Sequence, residues 1–429
     1  MSRFQVASIA VCVALNMLDG FDVLVMAFTA PALSADWKLK GAQLGVLLSA
    51  GLFGMAGGSL LLAPWADRFG RRAIILVSLT LITVGMLLSA AAQNVSQLAA
   101  LRALTGIGIG GILASISVIT AEYSSDKWRS NAMSMQVIGY PFGATIGGSI
   151  AAVLIQEYGW RSAFLFGAIA SLLMLPVVLR YLPESLDFLL AKRPADALQR
   201  LNDLLHRLQH APVSELPEVP ASEREHAQGN PVGRLFLGPL ARSTMLIWTS
   251  FFMLMASFYF VLSWTPKLLV SAGLSNAQGI TGGVLLNLGG IAGGALFGYL
   301  SSRLNLKRLA AAYLVLSGAS LVLFGGFTAD LTTISMIAAF LIVLLMGALV
   351  SGSMAGLYAL APILYPAAIR TTGMGLAIGI GRFGAILAPT AAGFLIDGGW
   401  QPPELYYLFA IPLVLGMATV LGLRPPLAS

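Results

Sequence analysis

The stretch FQVASIAVCVALNMLDGFDVLVMAFTAP, residues 4–31, is an apolar run that is interrupted by two aspartates. As a helix, a run of this length can cross the roughly 30 Å hydrocarbon core of a bilayer. Asp19 and Asp22 stand three residues apart, so they share one helical face. A carboxylate inside a membrane costs free energy unless it is paired, protonated or hydrated. The stretch therefore predicts a membrane helix whose aspartates either pack against neighbouring helices or form a proton or substrate site.

The composition indicates a protein that crosses a membrane many times. Of its 429 residues, 57% are hydrophobic and 10% are charged, whereas soluble domains contain about 25% charged residues. The net charge of +7 does not require a nucleic-acid partner, because cytoplasmic loops of membrane proteins collect Lys and Arg. The single cysteine, Cys12, excludes a disulfide framework and a thiolate metal site, and the three histidines lie in a polar segment. We therefore expect no metal and no other cofactor.

Twelve long apolar runs divide the chain. Because only helices and closed barrels satisfy the backbone inside a bilayer, runs of this length are read as helices. The predicted fold is therefore an all-α membrane protein with twelve transmembrane helices. Their predicted positions are residues 4–31, 43–65, 72–93, 97–122, 129–155, 160–182, 243–270, 278–301, 308–328, 332–360, 370–395 and 404–423.

The distribution of basic residues predicts which side of the membrane each loop faces. If the amino terminus is cytoplasmic, Arg102 and Arg382 lie within spans, and four of the 25 Lys and Arg residues lie outside. The other nineteen then lie on the cytoplasmic side, as expected from the enrichment of Lys and Arg in cytoplasmic loops. We predict a multi-pass membrane protein with both termini in the cytoplasm.

One long polar stretch divides the chain into two halves. Residues 1–182 and 243–429 each contain six predicted spans, and residues 183–242 predict an amphipathic helix followed by a proline-rich linker. An internal repeat supports this division. A shift of 235 residues aligns Gly58 with Gly293, Arg68 with Arg303, Gly70 with Asn305, and Arg72 with Lys307. Because Gly and Asn both tolerate a left-handed turn, the third pair predicts the same backbone geometry.

Three motifs in the first half resemble those of the major facilitator superfamily. The loop after span two reads Asp67-Arg68-Phe-Gly70-Arg71-Arg72, span four contains Arg102-x3-Gly106-x-Gly108-x-Gly110, and Pro183-Glu184-Ser185 follows span six. The resemblance extends over the whole chain. It implies twelve helices in two pseudo-symmetric six-helix bundles around a central cavity, with transport by alternating access.

The tetrapeptide Asp19-Gly20-Phe21-Asp22 is similar to the D-G-x-D motif of the aromatic acid/proton symporter family, which includes 4-hydroxybenzoate and benzoate transporters. Glu122, Arg370 and Arg382 also stand where that family carries charged residues. The second half departs from the pattern, because Ser302 replaces the usual aspartate and Lys307 stands where a histidine can occur. The resemblance implies uptake of a small, aromatic carboxylate with protons across the bacterial inner (plasma) membrane.

Given a rise of about 1.5 Å per helical residue, Asp19, Asp22 and Arg102 are predicted to lie at a similar depth, and Arg382 near the middle of the membrane. Three of these charges can meet in one layer if helices one and four are neighbours, as the resemblance implies. Our hypothesis is that Asp22 or Asp19 carries the proton and that Arg102 is its switchable partner. Arg382 would bind the substrate carboxylate, because a guanidinium can hold both carboxylate oxygens and does not deprotonate. The alternatives are that Arg102 extends to the membrane surface and that Arg382 forms a structural ion pair.

Further candidates fall into two groups. A planar substrate needs apolar walls and a few polar contacts, although each aromatic side chain could equally be ordinary helix packing. The candidate substrate-binding residues beside Arg382 are Asn16, Phe21, Gln136, Tyr259, Trp264, Asn287 and Tyr358. The candidate gating residues are Asp67, Arg68, Arg71, Glu122, Arg129, Arg303 and Arg370, with Glu122 expected to pair with Arg129 or with an arginine at 68, 71 or 72.

These patterns predict a secondary active transporter and not an enzyme, because no nucleophile–base pair stands inside the spans. The expected partners are a small carboxylate, protons and the lipid bilayer, without nucleic acid, and the expected state is a monomer. A symporter of a non-aromatic carboxylate, such as muconate or a sugar acid, would share every charged residue above. A proton-coupled drug or metabolite antiporter would fit Gly139-x-Pro141-x-Gly143 in span five, and a non-transporting sensor is a further alternative.

Overall fold

The computed structural model describes residues 2–125, 128–192, 197–208, 212–215, 233, 235–236, 239–328, 333–365 and 367–423. The described residues form fourteen helices. Their bounds are α1 Arg3–Trp37, α2 Gly41–Phe69, α3 Arg71–Ala90, α4 Val95–Glu122, α5 Arg129–Tyr158, α6 Arg161–Tyr181, α7 Leu186–Lys192, α8 Ala197–Arg207, α9 Pro239–Ser271, α10 Asn276–Ser301, α11 Leu306–Thr328, α12 Thr333–Leu364, α13 Ala367–Asp397 and α14 Pro402–Gly422.

Twelve of these helices, all except the short α7 and α8, are long and apolar enough to cross a membrane. The all-α, twelve-span prediction is therefore confirmed. The first span is longer than predicted, because α1 continues through Pro31 to Trp37. Membrane helices tolerate an internal proline when neighbouring groups satisfy the freed backbone carbonyl. If all twelve helices cross the membrane, both termini lie on one side, which we call the terminal side, and we call the other the far side.

The described residues cluster into two compact units. The first unit contains Met1–Val23, Ala50–Ala144 and Arg161–Ala227. Within it, α3 packs on α4 and on α6. At two further helix pairs, glycines allow the backbones to touch. A methyl group on Gly58 of α2 would collide with the Ile107 carbonyl of α4. Gly143 of α5 is blocked in the same way by the Met17 carbonyl of α1.

The second unit contains Leu24–Ser49, Thr145–Trp160 and Gln228–Ser429. Here α9 packs on α13, α10 on α12, and α11 on α14. Stacked Phe260 and Phe409, with ring centroids 4.0 Å apart, join α9 to α14. The units do not follow chain order, because parts of α1, α2 and α5 cluster with the second half. The division into residues 1–182, 183–242 and 243–429 is one of chain order and stays a prediction.

The internal repeat has a geometric counterpart within each unit. Gly54 and Gly58 of α2 meet carbonyls of α4, and Gly289 and Gly293, each 235 residues later, meet carbonyls of α12. A second aligned pair, Arg72 and Lys307, makes equivalent bonds. The Arg72 guanidinium donates to the Leu179 carbonyl at the end of α6. The Lys307 ammonium donates to the Leu423 carbonyl just after α14, at 2.6 Å.

The aligned pair Gly70 and Asn305 does not keep its predicted left-handed geometry. Gly70 has a left-handed φ of 101°, but Lys38 is the only residue other than glycine with positive φ in the described part of the chain. Asn305 is therefore not left-handed. Its side chain instead accepts a hydrogen bond from the Arg308 amide at 3.1 Å, so it caps the start of α11.

The polar segment between the halves contains α7 and α8. Ala197, Leu201 and Leu204 of α8 are buried and lie on one face of the helix, as the amphipathic pattern predicts. At the end of α8, the Arg207 guanidinium lies 5.6 Å from the ring centroid of Phe4. Most of the predicted linker, residues 211–233, lies outside the described residues.

Candidate functional site

The two aspartates of α1 are buried in the first unit. Asp19 is 3% exposed and Asp22 is fully buried. Close packing of α1 against α5 fixes this part of the helix, because Gly20, between the aspartates, leaves no room for a methyl group beside the Tyr140 carbonyl. The sequence thus places two carboxylates in a segment of α1 whose backbone is held by its neighbour.

Arg102 of α4 reaches Asp22, but through the backbone of that residue. Its Nη2 atom donates to the Asp22 carbonyl oxygen at 2.5 Å, and its Nη1 atom lies 3.1 Å from the Met86 sulfur. The guanidinium also lies 5.8 Å from the ring centroid of Phe164. With 1% exposure, Arg102 does not extend to the membrane surface.

The Asp22 carboxylate is fully buried. Neither of its oxygens has a donor among the residues that the structure describes. Its nearest surroundings include Gly167 of α6, where an added methyl group would lie 3.2 Å from Asp22 Oδ1. Arg102 is the cation that interacts with it electrostatically. An anion in such a place is costly, so this group is suited to taking up a proton.

Asn16 and Gln136, the predicted polar residues of the substrate site in the first unit, are joined by a hydrogen bond. Asn16 donates through Nδ2 to the Gln136 carbonyl oxygen at 2.5 Å, and Gln136 donates through Nε2 to Ser117 Oγ at 3.2 Å. The Gln136 side-chain oxygen is buried and accepts no hydrogen bond from described residues. Phe21 is 2% exposed and packs edge-on against Phe166, with centroids 5.2 Å apart. Phe21 therefore packs inside the unit.

The predicted substrate residues of the second unit divide into a cluster and two packed side chains. Tyr259 and Arg382 both lie close enough to the Tyr358 hydroxyl to interact with it electrostatically. Arg382 is half-buried, and no carboxylate among the described residues lies within 4.0 Å of its guanidinium. Trp264 donates its indole N–H to the Pro389 carbonyl at 3.0 Å, and Asn287 donates to Gly283 of its own helix at 2.9 Å.

On the terminal side, the first unit contains a compact ionic network. Arg71 forms an ion pair with Glu122, with 2.5 Å between Nη1 and Oε1, and also donates to Ser185 Oγ. Ser185 donates to Glu122 Oε1 at 2.8 Å, and the Leu186 amide donates to Oε2 at 2.8 Å. Of the partners proposed for Glu122, Arg71 therefore forms an ion pair with it.

Glu184 extends this network to the start of α3. Its Oε1 atom accepts hydrogen bonds from the amides of Arg72, at 3.1 Å, and Ser185, at 2.9 Å. The Tyr123 hydroxyl donates to the Glu184 carbonyl at 2.7 Å. Burial, together with the negative charges of Glu122 and Glu184, raises the pKa of Tyr123 above its ordinary value, so the phenol stays a donor. Glu184 and Ser185 were absent from the candidate list, although their motif marked them.

Three of the other predicted gating residues make further contacts. Arg68 stacks 5.3 Å from the ring centroid of Phe69, and Arg303 stacks 4.6 Å from that of Tyr299. Arg129 donates to the Ala121 carbonyl at 3.2 Å. The side chains of Asp67 and Arg370 lie outside the described part of the chain.

Comparisons with known proteins cover almost the whole chain. A family model described as Major Facilitator Superfamily matches residues 10–355 and 287–429. The chain is 31% identical over 422 residues to the 4-hydroxybenzoate transporter of Pseudomonas aeruginosa, covering 98% of this chain and 93% of that protein. It is 32% identical over 428 residues to the gallate transporter of Pseudomonas putida, covering 98% and 92% respectively.

Among solved structures, the chain is similar to the inward-open conformation of the xylose transporter XylE from E. coli. The TM-score is 0.77, and the match covers 97% of this chain and 95% of that chain. At 18% identity, this similarity concerns the fold alone.

Proposed function

The chain belongs to the major facilitator superfamily and, within it, to the aromatic acid/proton symporter family, and on this basis we propose that it imports a small aromatic carboxylate together with protons. The family consists of transporters and not of enzymes. The relatives named above transport 4-hydroxybenzoate and gallate, which are both planar rings with a carboxylate. The buried Asp22 carboxylate beside Arg102 is the observation that carries the coupling to protons.

Asp22 acts as the proton carrier in this proposal. A charged Asp22 is a buried anion that accepts no hydrogen bond from the described residues, whereas a protonated one is neutral. Arg102 keeps the charged form accessible through its electrostatic attraction. Protonation therefore lowers the cost of moving α1 relative to its neighbours, and deprotonation restores the attraction to Arg102. This change of charge is what links reorientation of the carrier to the proton gradient.

Arg382 binds the carboxylate of the substrate. It has no acidic partner among the described residues, so its charge is available to an anion. A guanidinium binds a carboxylate through two parallel hydrogen bonds, which also fixes the plane of the ligand. Tyr259 and Tyr358 add hydroxyl groups and ring faces beside it. With one proton per monocarboxylate anion, the transported pair is neutral.

The network of Arg71, Glu122 and Ser185 holds α3, α4 and the segment after α6 together on the terminal side, and we assign it to gating. This side is cytoplasmic in our proposal, because it carries nineteen of the 25 basic residues. The protein functions in the inner membrane of a bacterium, as a monomer with one substrate site.

Binding and transport of defined acids test this proposal. Purified protein should be thermally stabilised by 4-hydroxybenzoate, benzoate or gallate and not by cis,cis-muconate or gluconate. In proteoliposomes, an inward proton gradient should drive accumulation of the stabilising acid, and a protonophore should abolish it. Stabilisation by muconate or gluconate alone would replace the aromatic substrate with an aliphatic one. Accumulation that does not depend on the gradient would contradict the proposed coupling to protons.

A further inference from the structure

The start of α2 and the end of α13 are joined on the far side by a carboxylate. Asp397, the last residue of α13, accepts hydrogen bonds from the amides of Gly41, at 2.6 Å, and Ala42, at 2.9 Å. These amides belong to the first turn of α2, whose N–H groups have no partner within their own helix. Asp397 therefore caps a helix that lies 355 residues away in sequence, and its negative charge faces the positive end of that helix.

The two helix backbones touch beside this cap. A methyl group on Gly41 would lie 2.5 Å from the Gly393 carbonyl, and one on Gly45 would lie 2.6 Å from the Pro389 carbonyl. One turn further on, Ser49 donates to the Ile386 carbonyl at 2.7 Å, and Thr390 donates to Ser49 at 2.8 Å.

We call this contact the α2–α13 seal. It consists of Gly41, Ala42, Gly45 and Ser49 on α2, and Ile386, Pro389, Thr390, Gly393 and Asp397 on α13. All of these residues belong to the second compact unit.

The seal begins one helical turn from the proposed substrate site. Arg382 precedes Ile386 by four residues, and Thr390, Gly393 and Asp397 continue at spacings of four, three and four. Residues at these spacings occupy one helical face. The face that presents Arg382 is therefore the face that contacts α2 beyond it. A group bound at Arg382 lies at the edge of the seal.

The bonds at the outer end of the seal can be broken without burying unpaired groups. The hydrogen bonds to Asp397 are exposed, and so is Asp397 itself. On separation, water can replace the carboxylate at the Gly41 and Ala42 amides, and Asp397 becomes hydrated. Exposed hydrogen bonds exchange with water at small net cost. By contrast, Ser49 is 5% exposed, so it meets water only when the helices part.

We propose that Asp397 is the releasable latch of the far-side closure, and that passage between the Arg382 site and the far side requires its separation from the start of α2. This inference rests on the proposed transport function, but the labelling experiment that tests it does not require transport. The latch is a positioning residue: it touches neither substrate nor proton carrier, and acts by holding α2 against the face that bears Arg382.

The exposure of Ser49 measures the opening of the seal directly. In a Cys12→Ala background, Ser49→Cys would be the only thiol, and its rate of reaction with a maleimide in purified protein reports separation of the helices. Adding Asp397→Ala should raise this rate at least several-fold. Glu404→Ala is the matched control, because Glu404 also caps a helix start with its carboxylate, but that helix is its own, α14. Equal rates in the Asp397 and Glu404 variants would overturn the proposal.

A cross-link provides a second measurement that does not depend on removing the latch. The Ser49 and Thr390 side-chain oxygens are 2.8 Å apart, so Ser49→Cys with Thr390→Cys should form a disulfide on oxidation. Oxidation should abolish transport and reduction should restore it, while either single cysteine variant should be insensitive. Transport that continues after complete cross-linking would refute the seal as a barrier. If no tested acid is transported but labelling still depends on Asp397, the proposed transport function is wrong and the proposed role of Asp397 is supported.

Discussion

Arg102 donates its 2.5 Å hydrogen bond to the backbone carbonyl of Asp22, while the carboxylate of the same residue accepts none from the described residues. The arginine is thereby held beside the acid without a direct ion pair. A direct pair in a dry interior would keep the acid charged, whereas this arrangement leaves its oxygens open to a proton. The relationship leads to predictions about coupling, and the helix contacts around it lead to predictions about stability.

The first prediction concerns the energetic coupling of these two residues. Arg102→Gln should destabilise the protein by about 1–3 kcal/mol, because it removes the buried donor to the Asp22 carbonyl and the positive charge beside the carboxylate. The double variant Asp22→Asn with Arg102→Gln should recover part of that loss. Urea unfolding in detergent micelles measures all four members of the cycle. Strictly additive losses would show that Arg102 stabilises the fold through Met86 and Phe164 and not through Asp22.

The second prediction tests the glycines that align in the internal repeat. Gly58→Ala and Gly293→Ala should each destabilise the protein by about 1–3 kcal/mol, because the new methyl group collides with a backbone carbonyl. Gly57→Ala and Gly294→Ala are adjacent controls with open space around the added methyl group, and should be neutral or slightly stabilising. Thermal unfolding that fails to separate the two pairs would contradict the helix contacts described here.

The third prediction concerns binding of the carboxylate. Arg382→Lys should weaken binding of the transported acid about tenfold, or about 1.4 kcal/mol, because lysine cannot form two parallel hydrogen bonds. Arg161→Lys is a suitable control, since Arg161 donates to the Ala92 carbonyl on the far side. Isothermal titration of the purified variants gives the affinities. An unchanged affinity in the Arg382 variant would place the carboxylate elsewhere.

The fourth prediction concerns the network on the terminal side. Glu122→Gln keeps an acceptor oxygen but removes the charge that faces Arg71, so we expect a loss of about 1–3 kcal/mol. The exchanged pair, Arg71→Glu with Glu122→Arg, should recover part of this loss. Glu157→Gln serves as an exposed control. Unfolding curves that overlap for Glu122→Gln and the parent would remove the ion pair as a stabilising element.

Much of the fold was predictable because the bilayer leaves few solutions for long apolar runs. The twelve spans follow from hydropathy, and the aligned glycines and the Arg72–Lys307 pair follow from spacing. Helix ends were less predictable: Pro31 suggests a boundary, yet α1 continues to Trp37. The prediction of a left-handed backbone at Asn305 was wrong. A residue that tolerates this conformation can also cap a helix, and sequence spacing does not distinguish the two roles.

The site was predictable as a set of residue types and less so as a set of contacts. Two rare charges in apolar runs, Asp22 and Arg102, are brought together by the fold. The sequence does not indicate that Arg102 donates to the backbone carbonyl of Asp22, or that the Trp264 indole donates to the Pro389 carbonyl. Such choices depend on the rotation of each helix about its axis, which hydropathy leaves undetermined in helices that are apolar on every side.

Accumulation and exchange by the Asp22→Asn variant test the central claim most directly. Asparagine has nearly the shape of protonated aspartate but cannot release a proton. In proteoliposomes with an inward proton gradient, the variant should fail to accumulate labelled 4-hydroxybenzoate while still exchanging it for unlabelled acid at a measurable rate. Asp36→Asn, in the same helix, should accumulate normally, because its amide oxygen still accepts the bond from Trp160. Gradient-driven accumulation by Asp22→Asn at the level of the parent protein would contradict the account.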